Sequence, residues 1–189
     1  LLQTSVTANP NTTSINVFGP VSGASGDDAY VARFNPDLTN ARVAIVGGSD
    51  QENLPFMDLD SAGNAYVVSG GWSADYPTTT GAYQVADPDG TDSDFMITKF
   101  NNNLTSIIFS TYFGGSLDDA CFVCNLNPFT GNLYVGGATA SNNLPGNKSG
   151  VIQPSFQGGI ADGFVTEIKN DGSAIIKTSY FGTSGIDLI

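Results

Sequence analysis

The densest group of chemically capable side chains is the run Asp87-Pro88-Asp89-Gly90-Thr91-Asp92-Ser93-Asp94. Short carboxylates alternating about a glycine suit a hard cation such as calcium, which is held by carboxylate and carbonyl oxygens. Asp87, Asp89, Asp92 and Asp94 are therefore the candidate metal ligands. A helix-flanked calcium loop would close with an acid about six residues past its glycine. Met96 stands there, which excludes that version. Asp94 also recurs as Asp28 and Asp162, so its expected duty is architectural, accepting amide hydrogens where a strand begins.

Two adjacent acid pairs, Asp27-Asp28 and Asp118-Asp119, have the residue types of a carboxylate-based glycosidase. A catalytic pair has no reason to repeat, whereas a structural turn does, and Asp119 returns as Asp187. The chain has no histidine, which removes Ser-His-Asp and Cys-His nucleophiles and imidazole metal sites. Cys121 and Cys124 form a C-x-x-C, but a structural zinc needs four ligands and no second pair exists. Residues three apart on a regular strand face opposite ways, so a disulfide between them is geometrically poor. Both are expected to be small buried side chains, standing where the repeat elsewhere has Leu54 and Met57. Trp72, the only tryptophan, lies near Tyr76 and Tyr83, and the three are candidate ligand contacts by stacking, with packing between sheets as the competing role.

These residues sit in a chain of 189 with net charge −12, 16 Asp against 2 Glu, and 23 Gly. Aspartate without glutamate is expected when acids cap backbone amides in turns. Six Lys and Arg leave no positive surface for nucleic acid or an anionic membrane. Apolar runs are short, none repeats at helical spacing for three turns, and none could span a bilayer as a helix. The reading is all-β. Sequons at Asn11, Asn103 and Asn147 carry little weight in so Asn- and Thr-rich a chain.

The elements that must position these residues are repeated. Residues 105–114 (TSIIFSTYFG) and 173–182 (SAIIKTSYFG) match at an offset of 68. Residues 28–35, 94–101 and 162–168 form a second set, and 63–70 with 131–138 a third. In the middle copy the alternation predicts strands at 94–100, 105–113, 120–126 and 132–138, with Phe95, Ile97 and Lys99 on one face and Met96, Thr98 and Phe100 on the other. Taken in order, these four read as one antiparallel meander. With both faces apolar it must be stacked between neighbours, as in a β-propeller; a linear β-solenoid is the competitor.

The recurring order of elements resembles the bacterial SBBP-type β-propeller repeat. The resemblance rests on 28–35, 94–101 and 162–170 for its first element, 110–115 (STYFGG) for its second, and 59–84 (LDSAGNAYVVSGGWSADYPTTTGAYQ) with 126–153 for its third. It covers nearly all of 25–189 and departs at 41–48 (ARVAIVGG). It implies blades of four-stranded meanders with a period of about 67 residues: 1–24 as the tail of a preceding blade or a leader, 25–91 as blade 1, 92–159 as blade 2, and 160–189 as the start of blade 3. Roughly three blades is fewer than closure takes, so a segment of a longer chain is expected.

The expected function is a non-catalytic scaffold or binding module of a secreted or cell-surface bacterial protein, with an extracellular protein or glycan as partner. Its contacts would come from the long variable segments 72–92 and 140–159 at one rim. The alternatives are a carbohydrate-active hydrolase or lyase with acids in a central channel, and a cargo or subunit of a larger assembly.

Overall fold

The computed structural model describes residues 12–20, 27–88 and 90–187. Within them the chain forms eleven strands and no helix: β1 Thr12–Phe18, β2 Ala29–Phe34, β3 Ala41–Val46, β4 Glu52–Leu59, β5 Ala65–Gly71, β6 Asp94–Phe100, β7 Ile107–Phe113, β8 Asp119–Leu126, β9 Leu133–Thr139, β10 Asp162–Ile168 and β11 Ile175–Phe181. They pair into three sheets, ordered β1-β3-β2, β4-β5-β6-β7 and β8-β9-β10-β11. The two four-stranded sheets are antiparallel throughout.

The strands fall where the alternation places them, but their grouping differs. β6 and β7 end the second sheet, and β8 and β9 begin the third. The hydrogen-bonded units are thus 52–113 and 119–181, half a repeat out of phase with the units at 25–91 and 92–159. The short link 114–118 crosses between sheets, whereas the long link 72–93 joins two strands that pair.

That long link accounts for the sheet's outer edge. Thr79 N donates to Ser110 O (3.0 Å) and Tyr112 N to Gln84 O (2.9 Å), so 79–84 runs as a strap along β7. In the third sheet Thr178 N donates to Asn147 O (3.2 Å) and Tyr180 N to Gln153 O (2.9 Å), giving the same strap on β11. In the first sheet β1 takes this place as a parallel partner of β3. Each strap satisfies amides and carbonyls that an edge strand would otherwise leave open. Part of each segment expected to be a rim loop, 79–84 and 147–153, is thus a strap.

Both faces of the second sheet are buried. Phe95 and Ile97 of β6 join Phe113, Phe164, Leu133 and Tyr180 in the core between the second and third sheets. Met96 and Phe100 face the other way, with Val31, Ala44, Val46 and Tyr112 between the first and second sheets. The Phe95 and Phe164 rings stack across the interface at 5.7 Å. β8 packs against β4, β5 and β6, which sets the third sheet on the second.

The turn joining the last two strands of each sheet bends at one position with positive φ: Leu38 (58°), Leu104 (57°) and Gly172 (71°). Glycine is required in the third copy, because a Cβ there would strike the Phe109 ring of the preceding sheet.

Candidate functional site

One end of the stack gathers the entries of β6, β8 and β10 and the exits of β5 and β9, and every repeated acid is there. Its chemistry begins in the backbone. Glu52 N donates to Asp27 O (2.6 Å), Asp119 N to Ser93 O (2.7 Å) and Asp187 N to Ala161 O (2.9 Å), so the same bond ties each sheet to the next. The acid side chain then folds back onto the link before it. Gly48 N donates to Glu52 Oε2 (3.0 Å), Gly115 N to Asp119 Oδ2 (2.6 Å) and Thr183 N to Asp187 Oδ2 (2.7 Å).

The acid at the entry of β2, β6 and β10 completes the junction. Asp28, Asp94 and Asp162 lie against Gly47, Gly114 and Gly182, where any Cβ would collide with their carboxylates. Gln157 N donates to Asp162 Oδ2 (2.5 Å), which is the strand-entry capping expected of this position. Glu52 and Asp119 are buried, and burial pushes their carboxyl groups up, to about 7 and about 6. Asp28 and Asp75 add repulsion at Glu52, and Asp118 at Asp119.

Beside the Asp119 junction opens a mainly apolar cleft of about 340 Å³, lined by Trp72, Asp118, Asp119, Ala140 and Ile160 among others. Trp72 is 45 % exposed and Ile160 stands out to solvent. Asp118 is exposed, and its Oδ1 accepts from Ser93 N at 2.9 Å. Asp118 and Asp119, adjacent on the chain, are therefore committed to different amides.

The aromatic candidates do not converge. Tyr76 is buried in the core between the first and second sheets, its hydroxyl 2.9 Å from Thr98 Oγ1, so it presents nothing to a ligand. It is held there because its backbone N donates to Tyr112 Oη (2.9 Å), which itself donates to Ser73 O (2.6 Å). Tyr83 is exposed but does not line the Trp72 cleft; its N donates to Gly172 O (2.9 Å) at the β10–β11 turn. Of the three, Trp72 is the one that lines this cleft.

Among the acid run, Asp87 Oδ1 accepts from Gly90 N (2.9 Å), a local turn bond, and Asp94 is buried at the strand entry. Asp89 lies outside the described residues. Among the described residues no group of three or more His, Cys, Asp or Glu side chains is placed to hold a metal.

Cys121 and Cys124 are free and buried in one core, on the same face. The expectation of opposite faces fails because the pairing of β8 with β9 slips between Cys121 and Val123, adding one residue to the alternation. Burial pushes the two thiols up to about 12 and about 11. β4 slips at the matching place, between Asn53 and Phe56.

Sequence reasoning missed the partner acid of each junction as a partner: nothing local links Asp94 to Asp119, or Asp28 to Glu52. The signal available was that both sets recur in step, at offsets of 66 to 68.

Fold and site together define an all-β repeat protein whose stacked sheets are joined through paired acids, at least one of each pair buried. No known protein-family model matches the chain, and no curated protein is detectably similar to it in sequence.

Proposed function

We propose that this chain is part of a β-propeller of the SBBP-repeat kind, serving as a non-catalytic scaffold or binding module in a secreted or cell-surface bacterial protein. One observation supports the reading above the others: the acids that a catalytic reading would use are absorbed by a junction repeated along the chain. Glu52, Asp119 and Asp187 each accept from an amide four residues earlier, in the same sheet-to-sheet position. Groups that recur with the sheet are explained by the sheet.

The Trp72 cleft is the contact surface that fits this function. An exposed indole beside an apolar wall and one exposed carboxylate, Asp118, suits the face of a sugar ring or an aromatic side chain of an extracellular partner. Screening soluble polysaccharides and extracellular proteins for binding tests it. Trp72→Ala is expected to abolish the binding found while leaving the melting temperature within about 2 °C, as for a surface substitution.

The hydrolase or lyase alternative draws on one observation, the raised carboxyl of Asp119 in that same cleft. Polysaccharide turnover that Asp118→Asn or Asp119→Asn removes would establish it and overturn the scaffold reading.

A further inference from the structure

The same strand position is paired on both sides in two of the sheets and on one side in the first. β6 pairs with β5 and β7, and β10 with β9 and β11, whereas β2 pairs with β3 alone among the described strands. The consequence appears in burial. Tyr30 and Phe34 of β2 are 38 % and 57 % exposed, while their equivalents Met96, Phe100, Phe164 and Ile168 are wholly buried. The neighbouring sheet shows the matching gap: Met57 and Leu59 on β4 are 49 % and 55 % exposed. Between Val31 of β2 and Met57 and Leu59 of β4 lies an apolar hollow of about 170 Å³ that reaches Leu104, whereas Tyr30 and Phe34 stand on the other face of β2.

Charge marks the same edge. In the second sheet the residue equivalent to Arg33 is Lys99, whose Nζ lies 3.1 Å from Asp60 and donates to Tyr66 Oη (2.7 Å), both from the β4–β5 hairpin. In the third sheet it is Glu167, which accepts from Asn132 at the β8–β9 hairpin (2.8 Å). In each, the second hairpin strand sets a tyrosine opposite this position: Tyr66 against Lys99 and Tyr134 against Glu167. Among the described residues no such hairpin stands beside Arg33. Its Nη1 reaches forward to Asn102 O (2.7 Å), and it stands directly opposite Arg42 on β3, at the rim of a cleft of about 460 Å³. Two like charges facing each other across strands are unfavourable unless an anion lies nearby.

We propose that the open edge of β2 is a docking site for a β-hairpin of the chain's own repeat type. Its second strand pairs antiparallel with Ala29–Phe34, its tyrosine stands opposite Arg33, and the aspartate of its turn bonds the Arg33 guanidinium. One face of the hairpin covers Met57 and Leu59, and its other face extends the one that carries Tyr30 and Phe34. Strand addition of this kind takes its affinity from main-chain bonds and its specificity from alternate side chains. The proposal goes beyond the Trp72 reading and does not depend on it.

The probe is a labelled synthetic peptide with the sequence of residues 52–71, followed by fluorescence anisotropy against the full chain. Saturable binding is expected, with a scrambled peptide at least tenfold weaker. The Asp60→Lys peptide is expected to lose at least tenfold in affinity for the native chain and to recover most of it on the Arg33→Glu chain. Arg33 is exposed, so that variant is expected to keep its melting temperature; Arg33→Ala, losing affinity for the unmodified peptide only, is the check if it does not. Absent binding, or binding indifferent to the charge exchange, overturns the proposal. A chain that is dimeric, and that Phe34→Lys makes monomeric without any peptide binding, also overturns it by giving the edge to a second copy. Either failure leaves Trp72-dependent ligand binding untouched.

Discussion

Asp94 and Asp119 belong to different sheets, yet their carboxylates flank the same glycine, Gly114: a Cβ there would collide with Asp94 and lie 3.2 Å from Asp119 Oδ2. Asp28 and Glu52 are arranged in the same way about Gly47. Burial disfavours the ionised form of Glu52 and of Asp119, so the junctions couple sheet stacking to protonation.

Stability is expected to fall as pH rises through the neutral range. The Glu52 carboxyl is raised from 4.5 to about 7 by burial, so the folded chain holds that proton more tightly than the unfolded one. The sign follows: the stabilisation is complete below pH 4.5 and is lost as pH rises through about 7. A shift of that size corresponds to about 3 kcal/mol. Melting temperatures between pH 4.5 and 8 should decline, and Glu52→Gln should flatten much of the decline. A native chain with constant or rising stability across this window contradicts the account.

Gly114→Ala should destabilise by about 2 kcal/mol or more, since its methyl group has no room beside the Asp94 carboxylate. Urea denaturation of the variant measures this directly. A loss under about 0.5 kcal/mol, the range of an ordinary surface change, would show that the junction is looser than its geometry.

Tyr112→Phe is expected to cost more than Tyr180→Phe. Tyr112 Oη bridges Ser73 O and Tyr76 N, whereas Tyr180 Oη accepts from Leu144 N. Removing a hydroxyl leaves its buried partners unsatisfied, about 1–3 kcal/mol for each group. Equal losses in the two variants would show that Ser73 and Tyr76 find other partners.

The two thiols should resist alkylation. With Cys121 and Cys124 pushed up to about 12 and about 11, little thiolate exists at pH 8, and both side chains are buried. Iodoacetamide followed by mass spectrometry should find neither modified in the native chain and both modified in denaturant. Rapid native labelling at either residue would contradict the buried placement.

Residue order alone determined the strands and their repetition. Alternating β-branched and aromatic side chains fix which residues share a face, and that property is local. Phe95 and Ile97 accordingly face one core while Met96 and Phe100 face the other. The recurrence of Asp28, Asp94 and Asp162 was equally legible, since each repeats with its strand. Tertiary structure alone decided which strands pair. A short link suggests neighbours in one sheet, but 114–118 passes between sheets because Gly114 admits the Asp94 carboxylate beside it. The one-residue slip in β8 turned Cys121 and Cys124 to the same side, and nothing in the alternation announces such a slip. Tyr76 was open to ligand contact or to packing between sheets, and its backbone bond to Tyr112 decides for the core. In each case the deciding contact comes from residues 13 to 36 positions away, and strand periodicity carries no information at that range.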